Sequence, residues 1–267
     1  MENKSALLKK SMTESGVLRL TLNNESQRNT LSQAMLREIS TALLDAESDK
    51  GVRVIVIAAT GPAFCAGHDL KEITVARSAS DGGRSDFEGL FASCASVMKL
   101  IVASPKPIIA EVAGVATAAG CQLVASCDLA VAADTARFAT PGVNIGLFCS
   151  TPMVALSRNV CQKHAMEMLL TGDMISATSA QQIGLVNRVL PLEDLTAGTM
   201  ALAEKITQKS SMTLAMGKKA FYTQSSMPLA DAYEYSSAVM VDNILKYDAE
   251  EGIRAFVEKR HPKWQDE

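Results

Sequence analysis

Val52-Arg53-Val54-Ile55-Val56-Ile57-Ala58-Ala59, a turn at Gly61-Pro62, and then Phe64-Cys65-Ala66-Gly67-His68-Asp69-Leu70 set the reading of this chain. The first run is apolar on both sides of the alternation and predicts a strand buried on both faces, as in parallel sheets. The segment after it crowds small side chains where a strand hands over to a helix. A second handover of this kind lies downstream. Ile108-Ile109-Ala110-Glu111-Val112 reads as a strand, and Gly114-Val115-Ala116-Thr117-Ala118-Ala119-Gly120-Cys121-Gln122-Leu123 as a small-residue turn entering an apolar helix. Small side chains let a ligand approach the main chain, and helix N-termini leave N–H groups unpaired. Two such turns brought together aim two donors at one oxygen, the geometry of an oxyanion hole. Close packing of helix on sheet also wants Ala and Gly, so composition alone leaves both readings open.

Outward from these turns, residues 17–22 alternate as a half-buried strand. Ser32 is placed to cap a helix carrying Met35, Leu36, Ile39, Leu43 and Leu44 at helical spacing. Residues 78–85 read as a mobile loop. A helix follows over 87–103, with Phe91, Cys94, Val97, Met98 and Ile101 on its apolar stripe, stopped by Pro105 and Pro107. A strand over 128–132 and helices near 150–160 and 165–171 complete the alternation. Beyond residue 195 only helices are predicted, over 195–207, 212–222, 228–245 and 250–259. Strands alternating with helices and then helices alone mean an α/β core over 1–195 with a helical region over 196–267.

Composition narrows the function. The 267 residues carry 26 Lys and Arg against 29 Asp and Glu, a net charge of −3 with no long run of either sign. That argues against a nucleic-acid groove or a polybasic membrane patch. Apolar residues at 48% with charged residues at 21% exclude a disordered chain. Six cysteines form no Cys-x-x-Cys pair and three histidines stand far apart, so no metal site is expected. The longest apolar stretch, 112–127, is interrupted by Gly, Thr and Gln and falls short of the roughly 20 residues that span a bilayer. Residues 1–15 hold no apolar signal core, and a soluble, cytoplasmic protein is expected. Phosphate-loop, dinucleotide, nucleophile-elbow and zinc-helix motifs are all missing.

Phe64-Cys65-Ala66-Gly67-His68-Asp69-Leu70 resembles the first signature of the enoyl-CoA hydratase/isomerase (crotonase) superfamily. Lys106-Pro107-Ile108-Ile109-Ala110 through Gly120-Cys121-Gln122-Leu123 and Cys127-Asp128 resembles its second. Further matches run from Arg28-Asn29-Thr30-Leu31 to Lys259-Arg260, so the resemblance covers nearly the whole chain. It is strongest to one mitochondrial-type branch, through His68-Asp69-Leu70-Lys71-Glu72 and Gly146-Leu147-Phe148-Cys149-Ser150-Thr151-Pro152. It implies a crotonase-type ββα spiral core with a C-terminal helical trimerisation region, in homotrimers or hexamers. It implies an acyl-CoA or enoyl-CoA ligand, with coenzyme A part of the substrate and no other cofactor, and the mitochondrial matrix if the source is eukaryotic. The oxyanion donors would be the backbone N–H groups of His68 and Ala119. CoA would lie against Ala66, His68, Asp69, Leu70 and Lys71, with Arg28 near its phosphates and Lys259 beside Phe256 reaching in from a neighbouring subunit.

The same resemblance exposes a departure. The two glutamates that hold and deprotonate water in the family's hydratases align with Gln122 and Gly142, and an aspartate of its dienoyl isomerases with Ser150. An amide holds water but takes no proton near neutral pH, and glycine offers only backbone and space. Candidate substitute acids or nucleophiles are Asp69, Glu72, Glu111, Cys149 and Ser150, each with a solvated or structural role as the leading alternative. His68 reads as a residue lining the pocket, and Gly142 as a backbone angle that only glycine tolerates. The expectation is thioester binding with hydratase/isomerase-type enzymology. Binding without turnover is the competing reading, beside other crotonase-type chemistry such as isomerisation or thioester hydrolysis. The helical tail, with Phe221, Tyr222, Tyr233, Met240, Val241 and Ile244, holds more apolar residues than one face can hide.

Overall fold

The computed structural model describes residues 6–267; residues 1–5 of the N-terminal stretch read above lie outside it. The chain opens on a hairpin, β1 (Leu8–Met12) and β2 (Val17–Leu22), paired antiparallel. Of β1 only Leu8 is buried, so its sequence carries no strand pattern. Helix α1 (Gln33–Ser48) starts where Ser32 Oγ accepts from the Met35 N–H at 3.2 Å, and buries Met35, Leu36, Ile39 and Leu43. Burial of each such side chain is worth about 1.5–3 kcal/mol.

Three successive units then build the spiral. The first is β3 (Val54–Ala59), β4 (Ala63–Cys65), α2 (Leu70–Ala76) and α3 (Arg84–Ala103). The second is β5 (Ile108–Val112), β6 (Val115–Thr117) and α4 (Ala119–Ser126). The third is β7 (Leu129–Ala133), β8 (Arg137–Ala139), α5 (Pro152–Asn159) and α6 (Gln162–Thr171). After β9 (Ile175–Ser176), α7 (Ala177–Gln182) and β10 (Arg188–Leu190), the helices α8 (Leu195–Thr207), α9 (Ser211–Gln224), α10 (Leu229–Ile244) and α11 (Tyr247–Val257) close the chain. The first strand of each unit enters a six-stranded sheet of order β1-β2-β3-β5-β7-β10; the second enters a four-stranded sheet of order β4-β6-β8-β9. From β2 to β10 the large sheet is parallel, and β4-β6-β8 are parallel in the small one. Each unit therefore crosses from large sheet to small sheet and returns through helix, and the expected ββα spiral is the observed fold.

The outcome differs from the reading of the sequence at several places. Leu44, expected on the apolar stripe of α1, is 51% exposed, and Ala42 and Ala46 are buried with Leu43 instead. Leu90 rather than Phe91 takes the buried slot on α3, and Phe91 is 41% exposed. The stretch expected to be a mobile loop is a run of turns ending at Gly83. The Asp81 carboxylate there accepts the N–H groups of Gly83 and Ser85 at 2.9 and 3.0 Å and starts α3. Glu111, buried in β5, is held by both nitrogens of Arg19 at 2.9 and 2.6 Å and by the Thr196 hydroxyl at 2.9 Å. It is consumed by packing α8 on the sheet. No described helix is long and apolar enough to cross a membrane.

Helix α8 buries Leu195, Thr199 and Ala203 in the core, so residue 195 opens a helix lying on the sheet. Helix α9 is fastened by a partly buried polar node. Lys218 Nζ donates to Asp128 Oδ2 at 2.7 Å and to the carbonyls of Ile101 and Lys106 at 2.9 and 3.0 Å. The Tyr222 hydroxyl donates to Asp128 Oδ1 at 2.9 Å, and Asp128 Oδ2 also accepts the Ile108 N–H at 2.7 Å. The C-terminal tail folds back on α11. Glu251 accepts from Arg260 at 2.6 and 2.8 Å, from Arg254 at 2.8 Å and from the Lys263 N–H at 2.9 Å, while the Trp264 indole donates to Gln208 O at 2.7 Å. Elsewhere α9 and α10 bury no residue, and Phe221, Tyr233, Met240, Val241 and Ile244 stand 56–70% exposed.

Candidate active site

The first handover turn is strapped from beneath. Ala66 N–H donates to Arg28 O at 3.1 Å, and Gly67 O accepts the Leu31 N–H at 2.8 Å. Arg28 and Asn29 both adopt left-handed backbone, φ 52°. The fully buried Asn29 makes this possible, its Nδ2 donating to Thr60 O and Ala63 O at 2.8 Å each. Gly67 has φ +92°, a region that L residues avoid. Asp69 then caps α2, its Oδ1 accepting the Lys71 N–H at 2.8 Å; its carboxylate has a structural task.

The second turn is strained at Ala118, with φ 50° and ψ −118°. Ala118 N–H donates to Ala139 O at 3.0 Å, and Ala118 O accepts from the Gln122 N–H at 3.0 Å, which opens α4 at Ala119. The two turns touch. A Cβ at Gly67 would lie 3.0 Å from Ala118 Cβ and 3.4 Å from Ala119 N, and one at Gly120 would overlap the Cys65 carbonyl. Neither the His68 nor the Ala119 N–H donates to an acceptor among the described residues. Two orphan donors thus sit on apposed turns, one directly after Gly67 and the other directly after Ala118.

The side chains around them are few. His68 Nδ1–H donates to Leu31 O at 3.3 Å, and its ring meets Phe91 edge-on at 5.5 Å. This fixes the tautomer and leaves Nε2 bare, buried and without a partner. Burial holds the imidazole below its ordinary pKa. Gln122, 5% exposed, receives the Cys94 thiol on Oε1 at 4.0 Å. Burial pushes the Cys94 thiol up to about 12, so it stays a donor. Gly142 is buried, and its φ is outside the left-handed region. Glycine is demanded there by space, not by angle, because a Cβ would lie 2.5 Å from Leu147 O and 2.9 Å from Cys149 Sγ.

The remaining candidates scatter. Glu72 Oε2 accepts the Gln33 N–H at 3.2 Å at the head of α1, and the exposed Ser150 hydroxyl donates to Phe148 O at 3.4 Å. Lys71 and the exposed Leu70 begin α2, and Lys71 lines a groove of about 460 Å³ together with Ile73, Val75, Phe87 and Leu90. Arg28 is exposed beside Ala66. Phe256, 85% exposed, and Lys259 lie on the outer side of α11 and its end, on a separate element from the two turns. Two side chains that sequence reasoning did not assign to the site are Phe91 and Cys94. They stand three residues apart on α3, and each touches a residue of the site. Nothing in the local sequence marks those pairings, which span long chain separations.

A family model for enoyl-CoA hydratase/isomerase matches residues 12–267. The chain is 49% identical over 251 residues to the mitochondrial enoyl-CoA hydratase domain-containing protein 3 of Xenopus laevis, covering 94% of this chain and 84% of that protein. The crystal structure of the human enoyl-CoA hydratase domain-containing protein 3 superposes with a TM-score of 0.92 at 46% identity, over 97% of this chain and 100% of that one. An enoyl-CoA hydratase structure from Mycobacterium smegmatis gives a TM-score of 0.92 at 48% identity, over 97% and 99%. By sequence, by fold and by the two turns at their expected places, this chain belongs to the enoyl-CoA hydratase/isomerase (crotonase) superfamily, in its domain-containing protein 3 branch.

Proposed function

We propose that the chain binds acyl-CoA or enoyl-CoA thioesters and polarises the thioester carbonyl between the N–H groups of His68 and Ala119. One observation carries this reading: two orphan donors on turns in van der Waals contact, with Gly67 and the strained Ala118 clearing the approach. Charge gathering on the thioester oxygen as an enolate forms is stabilised by on the order of 3 kcal/mol for each well-placed donor. Arg28 and Lys71 are exposed cations beside the first turn, suited to the phosphates of CoA. Lys259 and the exposed Phe256 would serve a neighbouring subunit, which accords with homotrimers or hexamers built on the apolar face of α9 and α10. The relatives' names carry the word mitochondrial, and a matrix location is part of the proposal for a eukaryotic source.

Hydration is the weak side of this machinery. Gln122 cannot accept a proton from water, and the space at Gly142 is taken by Leu147 O and the Cys149 thiol. These two positions favour thioester binding with little hydratase turnover. Calorimetry with butyryl-CoA against free CoA tests the binding, and a turnover panel of enoyl and acyl thioesters tests the chemistry. Ala119→Pro removes one donor and should weaken thioester binding relative to free CoA, while Ala119→Gly keeps it. Equal thioester affinities for the folded Pro variant, the Gly variant and the wild type would refute the donor assignment.

A further inference from the structure

Leu31 grips the first turn at two points. Its N–H donates to Gly67 O at 2.8 Å, and its carbonyl accepts His68 Nδ1–H at 3.3 Å. Gly67 O and the His68 N–H belong to one trans peptide plane and point in opposite directions. A carbonyl pinned to the strap therefore turns the orphan N–H away from it, and the imidazole fixes the same residue from its side-chain end. The ring is also met edge-on by Phe91 at 5.5 Å. One residue thus carries the donor on its main chain and the anchor of that donor on its side chain.

The seat suits only one charge state of the ring. With Nδ1–H committed to Leu31 O, a second proton would sit on Nε2, which is buried and has no partner among the described residues. None of the surrounding elements offers one. The strap supplies Leu31 O, already engaged, and the Thr30 hydroxyl, which makes no bond to the ring. β4 brings the Cys65 thiol and α3 the Cys94 thiol, both pushed up to about 12 by burial and so neutral. At the head of α2 the Asp69 carboxylate accepts the Lys71 N–H at 2.8 Å, and the exposed Glu72 carboxylate accepts the Gln33 N–H at 3.2 Å. The charge of Glu72 favours a protonated ring, and burial outweighs it. A buried charged donor without an acceptor costs more than a bare neutral nitrogen, so a protonated ring leaves its place between Leu31 and Phe91.

We propose that His68 is the positioning residue of its own backbone donor, and that this donor is aimed only while the imidazole is neutral, so that acid releases the thioester carbonyl rather than CoA as a whole. This rests on the thioester reading above. When the ring leaves, the Gly67–His68 peptide keeps one of its two holds, and the N–H is free to turn from the oxygen it serves.

The test is calorimetry on the full chain with butyryl-CoA and free CoA from pH 8 to 5, because the ratio of their affinities cancels the titration of the phosphates they share. In the wild type the ratio is expected to hold from pH 8 to 7 and to fall about twofold or more by pH 5, as the fraction of neutral His68 falls. His68→Asn, whose amide keeps a donor near the place of Nδ1 and does not titrate, should give a ratio that is flat across the range. His68→Phe, which keeps a ring against Phe91 and removes the donor to Leu31 O, should lower the ratio already at pH 8 and leave it flat. A purely structural role would weaken both ligands equally, and free CoA binding reports that each variant is folded. A wild-type ratio flat to pH 5, the same acid fall in His68→Asn, or an undiminished ratio in His68→Phe overturns the proposal. Butyryl-CoA binding no better than free CoA at pH 8 would instead bring down the thioester reading beneath it.

Discussion

The thiol of Cys149 occupies the space into which a side chain at Gly142 would grow: a Cβ there would come within 2.9 Å of Sγ, with Leu147 O at 2.5 Å on the same side. Burial raises the thiol's pKa, so the filler is neutral. The position at which the resemblance places a carboxylate of the family's hydratases is therefore closed by a backbone carbonyl as well as by a soft side chain. Trimming Cys149 would leave the carbonyl in place.

Restoring an acid is consequently a one-sided operation. Gln122→Glu is expected to raise crotonyl-CoA hydration at least tenfold over a feeble wild-type rate, since acid–base groups contribute about 10²–10⁴ when fully deployed. Gly142→Glu, alone or added to it, should cost about 1–3 kcal/mol of stability through overpacking and add no rate. Initial rates with denaturant melts of each variant check both statements. Fast wild-type hydration undiminished in Gln122→Ala would show that another group supplies the proton.

Ala118 pays for its place with a backbone angle that suits glycine. Ala118→Gly should keep thioester affinity and gain about 1 kcal/mol or less as the strain is released. Ala118→Val should lose stability and binding together, because the branched side chain faces the Gly67 turn as well. Chemical denaturation and calorimetry on the pair decide this.

His68 makes stability depend on acidity in a defined direction. Its folded pKa lies below the ordinary value of about 6.5 because of burial, so the unfolded chain takes up the proton first as pH falls. Folded-state stability must then drop through and below about pH 6.5. His68→Gln should flatten that part of the stability curve relative to wild type. Parallel curves from pH 8 to 5 would contradict the assignment.

Glu251 acts at the opposite end of the scale. Arg260 and Arg254 hold its carboxylate well below the usual range, so its contribution is complete above the unfolded value of about 4.3 and fades as pH falls below it. Glu251→Gln is expected to lower the melting temperature at pH 7, with the gap from wild type narrowing in acid. A gap that is the same at pH 7 and pH 3 would mean that packing, not charge, sets the clamp.

Assembly can be read directly. Light scattering at micromolar concentration should give a trimer or hexamer, and Tyr233→Glu with Met240→Glu should weaken it, because both side chains stand 62–70% exposed on α10. A monomeric wild type would dispose of the proposed interface.

Much of this molecule is legible before folding. The doubly buried run at Val54–Ala59 and the two small-residue turns specify the parallel core and the orphan donors, because local pattern and backbone demand coincide there. Strands such as β6 and β8, three residues each, escape notice because so short a run has no period to detect. Helix α2 escapes for the opposite reason: it buries no residue and shows no stripe. Glu111 reads from the sequence as one of several candidate acids, with a structural role as the alternative. Only Arg19, 92 residues away in sequence, reveals it as half of an ion pair. Gly142 was legible as a missing acid, whereas the reason for glycine, a carbonyl five residues downstream, is purely three-dimensional.

The node of Lys218, Asp128 and Tyr222 has a bearing on how the molecule comes apart. Asp128 sits at the exit of α4, and the carbonyls beside Lys218 close α3 and lead into β5. Peeling α9 from the core would remove both side-chain partners of the partly buried Asp128 carboxylate and leave the carbonyls of Ile101 and Lys106 without their Lys218 donor. The helical tail is therefore a structural keystone for the very turns that present the donors. Heating should melt tail and spiral in one cooperative step, and a chain cut after α8 should lose the site along with the tail.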